Sequence, residues 1–195
     1  MKLVLASENA HKARELAAVL PGWEVEPLGL ALPEETGATF VDNARAKARF
    51  GRAHADRGAW VAGEDSGLEV EALGGRPGIR SARFAREGAT DEENVRMLLA
   101  ELRDTPEEAR AARYVCELVA LAPDGTERRA RGTLAGRVAR EPRGRGGFGY
   151  DPVFVPDGEE MTVAELGDAW KSRKSHRARA ARLLAESLGR GGRAL

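Results

Sequence analysis

The chain has 195 residues, of which 42% are hydrophobic and 32% are charged, and its formal net charge is +0. These values are ordinary for a globular protein with a sizeable core. The lack of net positive charge argues against a dedicated nucleic-acid-binding protein. No apolar run reaches the roughly 20 residues that cross a bilayer, and the apolar N-terminal segment is too short for a signal peptide. We therefore expect a cytoplasmic protein with no nucleic-acid or membrane partner.

The cysteine and lysine content narrows the chemistry further. Cys116 is the single cysteine, which excludes an internal disulfide framework. It lies in an alternating apolar run, which favours a buried structural thiol over a nucleophile. Lysine is scarce beside arginine, so each lysine at a candidate site invites a specific explanation, although genome base composition would produce the same bias.

The first predicted elements are a strand over residues 2–6 and a helix that ends at Pro21-Gly22. Lys12 falls in the first turn of this helix, where the helix dipole disfavours a cation. A phosphate bound at the helix N-terminus would resolve that conflict, and a solvated surface lysine is the open alternative. A second strand is predicted over residues 23–28.

The next helix is predicted from Thr39, as its N-cap, to about Arg57. Asn43 and Lys47 are four residues apart and share one face of it. Asp42 lies in its first turn, where a carboxylate is favoured. An acid, an amide and an ammonium on one helix could bind a metal and a phosphate together, although an ordinary helix surface has the same pattern.

Two adjacent acids, Glu64 and Asp65, follow an apolar run and precede Ser66-Gly67. The pattern predicts a strand that breaks into a tight turn and then resumes. Carboxylates at a strand end, beside a glycine that permits close backbone approach, suit a magnesium ion carrying phosphates. A solvated acidic turn is the alternative.

The middle of the chain is predicted to be mainly structural. A glycine–proline loop over residues 73–78 leads to Arg83, which either reaches a phosphate or pairs with an acid. A helix over residues 90–102 begins with a capping box. A hairpin over residues 113–138 turns at Asp124-Gly125, and its arginine-rich second strand is expected to face solvent.

The C-terminal third holds a second informative stretch, the glycine-rich segment over residues 141–152. Its glycines allow close backbone approach to a ligand, and Phe148 offers a ring face on which a base could stack. The Gly-Lys-Ser/Thr ending of a phosphate P-loop is absent, and a flexible surface loop is the alternative. A short helix with a capping box is predicted from Thr162, and a final helix follows residues 171–177.

That final helix is expected to end at Gly189, ahead of a frayed tail over residues 190–195. Four polar side chains lie close together ahead of it. They are Lys171, Lys174, His176 and Arg177.

Taken in order, these motifs resemble those of the inosine triphosphate pyrophosphatase family, hydrolases of non-standard purine nucleoside triphosphates. The resemblance spans nearly the whole chain at consistent spacing. The family usually has glutamate at the position of Asp42 and aspartate at the position of Glu64, so this chain keeps the total charge. The matching stretches are residues 5–9 with Lys12, 39–44 with Lys47-Ala48, 64–68, 73–75 with Pro77-Gly78, 81–83, 146–152, and Lys171 with 175–177.

The pattern of elements itself predicts an α/β fold. The resemblance implies an elongated mixed β-sheet flanked by helices, in a single domain over residues 1–195 with two lobes, an active-site cleft between them, and a homodimer. It also implies hydrolysis of ITP, dITP or XTP to the monophosphate and pyrophosphate, with water attacking the α-phosphorus.

The resemblance further implies roles for individual residues at the phosphates. Asp65, Asp42 and, through water, Glu64 would hold Mg²⁺, and Asp65 would be the general base. The side chains expected to hold the β- and γ-phosphates are Ser7, Asn9, Lys12 and Lys47. The other expected substrate contacts in this part are Glu8, Ala10, His11 and Ser66.

The same resemblance assigns the base to the C-terminal part of the chain. Phe148 would stack on the purine, and the backbone around Asp151 would contact the ring edge, with Gly149 and Tyr150 beside it. Donors aimed at the 6-keto oxygen would reject adenine, whose amino group cannot accept those bonds. The expected donors are Lys171, His176 and Arg177.

Two other functions stay open at this point. One is a related pyrophosphatase with another base preference, such as a modified pyrimidine triphosphate, which a substrate panel separates. The other is a non-catalytic nucleotide- or RNA-binding module that uses Phe148 and the arginine-rich strand. That module would bind tightly without releasing pyrophosphate.

Overall fold

The computed structural model describes residues 1–7 and 9–190, without the side chains of residues 10, 189 and 190. Strands and helices alternate over most of the chain. The elements are β1 (Lys2–Ala6), α1 (Ala10–Val19), β2 (Glu24–Pro27), α2 (Phe40–His54), β3 (Trp60–Val70), α3 (Asp91–Glu101), β4 (Ala111–Leu121), β5 (Glu127–Val138), β6 (Phe154–Pro156), α4 (Val163–Lys174) and α5 (His176–Arg190).

The strands in the described residues form one sheet in the order β2-β1-β3-β4-β5-β6. β1 runs parallel to both β2 and β3, whereas β5 and β6 are antiparallel. The predicted α/β fold with a mixed sheet and flanking helices is therefore confirmed. No helix in the described part of the chain is long and apolar enough to cross a membrane.

The chain divides into two compact units. Unit 1 comprises Met1–Asp65, Cys116–Gly132 and His176–Leu195, and unit 2 comprises Ser66–Val115 and Thr133–Ser175. The single domain, the cleft between two lobes, the homodimer, the cytoplasmic location and the absence of a nucleic-acid partner all stay predictions.

The core of unit 1 lies between its strands and the helices α1 and α5. Leu3 and Leu5 of β1 are buried together with Leu16 of α1 and Leu184 of α5. The Cys116 side chain is buried in the same cluster, which confirms the prediction of a buried thiol. Burial, and then the neighbouring Glu64 carboxylate, raise the pKa of this thiol well above its ordinary value.

The predicted acidic turn is wrong, because Glu64 and Asp65 lie inside the continuous strand β3. β3 has β1 on one side and β4 on the other, so its backbone is held extended by pairing within the sheet. Gly63 contributes as well, since a side chain there would overlap the backbone of α2 at Ala44 and Ala48. The missing side chain allows α2 to pack closely behind the two acids.

The core of unit 2 is built from α3, α4 and its share of the strands. The predicted capping boxes at the starts of α3 and α4 are both present, with Thr90 and Thr162 as N-caps. Leu98 of α3 packs in one buried cluster with Tyr114 and Phe154. Strand β6 has only three residues and was not predicted.

Several predicted boundaries shift. α2 ends at His54 rather than near Arg57, because Ala55 takes an extended conformation. Lys171 precedes the last helix, as expected, but lies within α4, whereas His176 and Arg177 form the start of α5 itself. That helix extends to Arg190 rather than Gly189, and residues 191–195 of the predicted tail lie outside the described residues.

The predicted hairpin is present as β4 and β5, with a turn in which Gly125 has a φ of 86°. The predicted solvent-facing side is confirmed at Arg129 and Arg131, which are both exposed. Both guanidinium groups pair with the buried carboxylate of Glu117, at 3.0 and 3.6 Å. Arg128 is half-buried.

Candidate active site

Unit 1 concentrates charged side chains around the two acids of β3. We call this group the carboxylate–lysine cluster. Acids and cations alternate within it, and its acids come from three separate segments of the chain. Its members are Lys12 and Glu15 of α1, Glu35 of the loop before α2, Asn43 and Lys47 of α2, Glu64 and Asp65 of β3, and Arg177 of α5.

Glu64 is 1% exposed. Its Oε2 lies 2.6 Å from Lys12 Nζ, and its Oε1 accepts from Arg177 Nη2 at 3.2 Å. Burial alone would raise the pKa of Glu64, but Lys12 and Arg177 together hold it well below its ordinary value. Arg177 also contacts Glu15, so its guanidinium joins β3 to α1.

Asp65 is also buried, but its balance of charges is different. Its Oδ2 accepts from Asn43 Nδ2 at 3.0 Å, and its Oδ1 lies 3.4 Å from Lys47 Nζ. Burial raises the pKa of Asp65 by more than Lys47 lowers it, and the charge of Glu35 raises it further. Of the two adjacent acids, Asp65 is therefore the one suited to accept a proton.

Lys47 is surrounded by oxygen acceptors. Its ammonium contacts the Glu35 carboxylate and the Asp65 carboxylate, and it donates to the backbone carbonyl of Glu64 at 3.0 Å. Burial favours loss of the proton, but Asp65 and Glu35 outweigh it and raise the pKa of Lys47. An ammonium has three hydrogens to donate, so these three acceptors match its capacity.

Glu35 is a site residue that the sequence reasoning missed. It lies in the segment between β2 and α2, which reads only as a loop rich in proline, glycine and acid. No periodicity or cap marks it, because its contact with Lys47 is made by a side chain twelve residues away on the next helix. The acidic character of that loop was the one available signal.

The start of α1 is capped from within the chain. Asn9 is the N-cap, and its Oδ1 accepts from the backbone N–H groups of His11 and Lys12 at 2.9 and 3.4 Å. The buried Ser7 hydroxyl accepts from the Asn9 N–H at 3.1 Å. Glu8 and the side chain of Ala10 lie outside the described residues. The helix dipole disfavours the positive charge of Lys12 at this position, and an ion pair with the Glu64 carboxylate compensates for it.

Asp42 lies at the first turn of α2, as predicted, and its side chain is 46% exposed. Its Oδ2 accepts from the Thr39 hydroxyl at 2.6 Å, so it forms part of the helix cap. No group of three or more metal-ligating acids, histidines or cysteines occurs among the residues that the structure describes. The metal-binding role of Asp42 stays a prediction.

Unit 2 has its own buried charged group, which we call the Asp151 cluster: Tyr114, Phe148, Asp151 and Lys171. Asp151 Oδ2 accepts from Lys171 Nζ at 2.8 Å and from the Phe148 backbone N–H at 3.0 Å. Asp151 Oδ1 accepts from the Tyr114 hydroxyl at 3.2 Å. Lys171 Nζ also lies 4.3 Å from the centre of the Phe148 ring, a distance suited to a cation–π contact.

The glycine-rich segment is anchored to neighbouring elements of unit 2. The Gly149 N–H donates to Asp91 Oδ2 at 2.6 Å, and the Tyr150 hydroxyl donates to the Ser81 carbonyl at 2.8 Å. Burial, and then Asp91, raise the pKa of Tyr150. Of the two alternatives for Arg83, the structure shows the contact with an acid, at 3.4 Å from Glu87.

The predicted site residues thus fall into the two units. Among the described residues expected at the phosphates, contacts in unit 1 link Lys12, Lys47, Glu64 and Asp65. Asp42 lies in the first turn of α2 in the same unit, whereas Ser66 is half-buried on β3 in unit 2. Four of the expected base contacts, Phe148, Gly149, Tyr150 and Asp151, lie with Lys171 in unit 2. His176 and Arg177 belong to unit 1, and their roles toward the base stay predictions.

The mixed sheet places the chain in the α/β class of proteins, and each of its two units contains a buried cluster of charged side chains. The chain belongs to the Ham1 family, whose sequence profile matches residues 3–187. This match, together with the dITP/XTP pyrophosphatases named next, confirms the family resemblance drawn from the motifs.

Individual relatives cover nearly the whole chain. It is 46% identical over 199 residues to a dITP/XTP pyrophosphatase of Shigella flexneri, covering 97% of this chain and 99% of that protein. A HAM1 protein from Coxiella burnetii has a similar structure, with a TM-score of 0.86 at 34% identity over 97% of this chain and 99% of that one. A nucleoside-triphosphatase / dITP/XTP pyrophosphatase from Mycobacterium abscessus gives 0.74 at 43% identity, over 94% and 98%.

Proposed function

We propose that this chain hydrolyses non-standard purine nucleoside triphosphates, namely ITP, dITP and XTP, to the monophosphate and pyrophosphate, and so removes them from the nucleotide pool. The names of the relatives support the substrate class, because the similarity extends over nearly the full length of both chains. The observation that carries the proposal is the position of the buried Asp65, which lies beside Glu64 on β3. Its carboxylate contacts Asn43 and Lys47 of α2.

Asp65 is the general base of the proposed reaction. Its carboxylate accepts the proton of the attacking water, and the burial that raises the pKa of Asp65 makes it a better acceptor. Asn43 and Lys47 fix its two oxygens in separate directions. Water then attacks the α-phosphorus, and pyrophosphate leaves in line with it.

The triphosphate is held by the cations and donors of unit 1. Lys12 and Lys47 supply ammonium charges, and Ser7 and Asn9 supply polar groups beside the start of α1, where phosphate oxygens are favoured. Both ammonium groups form ion pairs with carboxylates in this structure. Phosphate oxygens, which are also negatively charged, would replace these carboxylates as partners of the two lysines.

The donor set suits Mg²⁺, which binds phosphate sites through one or two carboxylates together with substrate oxygens and water. Asp65 offers a carboxylate beside the proposed phosphate site, whereas Glu64 is engaged by Lys12 and Arg177, which favours contact through water. Asp65 and Asp42 would hold the ion, with Glu64 in the outer position. The bound ion would neutralise phosphate charge and lower the pKa of a water molecule.

The Asp151 cluster selects the base. Phe148 provides the stacking face, and Lys171 donates to the 6-keto oxygen of hypoxanthine or xanthine. An ammonium can only donate, so the 6-amino group of adenine leaves it without an acceptor. A buried polar group without its partner discriminates against the wrong ligand by up to about 10⁴–10⁵-fold.

The test is pyrophosphate release from ITP, XTP, GTP, ATP and a modified pyrimidine triphosphate, each with Mg²⁺ and with excess chelator. We expect kcat/KM to favour ITP and XTP strongly and to fall to background without the metal. A flat profile, or a preference for the pyrimidine, would contradict the base assignment. Tight nucleotide binding without pyrophosphate release would mean that the chain is a binding module.

A further inference from the structure

The Asp151 carboxylate receives donors from three different elements of unit 2. Lys171 comes from α4, the Phe148 N–H comes from the glycine-rich segment, and the Tyr114 hydroxyl comes from β4. Lys171 and Phe148 are the residues proposed to read the base. Tyr114 carries no role in that proposal, although its hydroxyl lies 3.2 Å from Asp151 Oδ1 in a buried position.

Two features fix the direction of the Tyr114 hydroxyl. Its strand places the side chain in the buried apolar cluster of unit 2, and its ring packs against Phe154 with the ring centres 4.6 Å apart. An aromatic ring held on a strand by core packing has little freedom. The phenolic oxygen therefore stays in one place relative to Asp151.

The donors are divided between the two carboxylate oxygens. Oδ2 accepts from Lys171 and from the Phe148 N–H, whereas Oδ1 accepts from Tyr114. A carboxylate can turn about its Cβ–Cγ bond, because that terminal torsion is soft. The bond from Tyr114 restrains this rotation, and with it the positions of the Lys171 ammonium and the Phe148 backbone.

We propose that Tyr114 is a positioning residue for base selection, which acts through Asp151 on Lys171 and Phe148 without touching the base. The inference rests on the proposed function, because the direction of the Lys171 ammonium matters only if Lys171 recognises the base. A donor aimed at one point rejects a 6-amino group, whereas a donor free to move finds another acceptor and tolerates it.

Tyr114→Phe tests this directly, since phenylalanine keeps the ring against Phe154 and removes only the hydroxyl. We expect the KM for ITP to rise about tenfold and the ratio of kcat/KM for ITP to that for ATP to fall by about the same factor, as for one lost hydrogen bond to a charged group. kcat should stay within about twofold, because lost binding that is uniform along the reaction appears in KM.

Leu134→Val is the matched control, because Leu134 is buried in the same apolar cluster and makes no part of the Asp151 cluster. Thermal unfolding of both variants measures any loss of stability. If Leu134→Val lowers base discrimination as much as Tyr114→Phe does, the effect comes from general loosening and the inference is wrong.

The failure of the inference is distinguishable from the failure of the proposed function. Unchanged discrimination in Tyr114→Phe, with pyrophosphate release retained, overturns the role of Tyr114 alone. No pyrophosphate release by the wild-type chain overturns the function. In that case equilibrium binding of IMP and AMP still tests Tyr114, because the inference requires the wild type to prefer IMP and the variant to lose that preference.

Discussion

The two charged clusters differ in how many charges they hold. The carboxylate–lysine cluster of unit 1 brings four acids together with three cations, so its charges have several possible partners. The Asp151 cluster of unit 2 has one acid and one cation, together with a neutral hydroxyl and a backbone N–H. The first arrangement can exchange its contacts for those of a polyanion. The second can hold one donor in one direction.

This difference matches the two tasks of the proposed reaction. A triphosphate carries several charges and must be neutralised, which needs cations whose present partners can be replaced. A base is uncharged and is recognised by the placement of a few hydrogen bonds. The predictions below perturb one cluster at a time, and they run from the largest expected effect to the smallest.

Asp65→Asn should cause the largest loss, because asparagine keeps the size of the side chain but cannot accept the proton of water. We expect kcat for ITP to fall by about 10²- to 10⁴-fold, as for the loss of a general base. Steady-state pyrophosphate release measures kcat, and calorimetry with a non-hydrolysable triphosphate should show retained binding. A near-normal kcat would refute the assignment of Asp65.

Arg177→Met should destabilise unit 1, because it leaves the buried Glu64 without one of its two cationic partners. Removing one member of a buried ion pair costs about 3–5 kcal/mol. Denaturant unfolding measures the free energy of unfolding, with Arg179→Met, an exposed position on the same helix, as control. If the two variants lose the same small amount, the charge on Glu64 does not depend on Arg177.

Gly147→Ala should disturb only the Asp151 cluster. Gly147 has a φ of 77°, and a side chain there would overlap the Asp151 carboxylate. Gly158→Ala is the matched control, since its φ is 78° and nothing lies within 4 Å of the added atom. Both should lose about 1–2 kcal/mol of stability from backbone strain.

Only Gly147→Ala should also raise the KM for ITP, by about tenfold, because it displaces the acceptor of Lys171 and of the Phe148 N–H. Kinetics with ITP on both variants separate the two effects. An equal KM in the two variants would show that the Asp151 carboxylate does not position the base-reading groups.

Glu35→Gln should have the smallest effect, and it should strengthen a binding interaction, whereas the other variants weaken activity, stability or binding. It removes a negative charge that competes with phosphate for Lys47, so we expect pyrophosphate to inhibit the reaction about threefold more strongly, the scale of one partly exposed ion pair. Product-inhibition kinetics measure this change. Weaker inhibition would contradict the competition and would instead make Glu35 part of the metal site.

Much of the local structure could be predicted from the sequence. Capping boxes at Thr90 and Thr162 are recognised from four residues each, and the buried Val95 and Leu98 of α3 are three residues apart, as the helical repeat requires. The Asp-Gly turn of the hairpin is equally local. Such features depend on neighbours within one or two turns of chain, which is the range in which sequence patterns are informative.

The side-chain contacts that build the site could not be predicted in the same way. Arg177 and Glu64 are 113 residues apart in sequence, and Glu35 reaches Lys47 from a loop without any periodic signal. The acids of β3 were expected in a turn because acids and glycine are rare in strands. The position of β3 between β1 and β4 in the sheet, and the close packing of α2 over Gly63, override that local preference.

The most direct test of the central claim is the hydrolysis of ITP in water labelled with heavy oxygen, followed by mass spectrometry of both products. Attack at the α-phosphorus by a water molecule that Asp65 activates predicts that the label enters the monophosphate and that pyrophosphate stays unlabelled. Label in pyrophosphate, or release of orthophosphate in its place, would contradict the account.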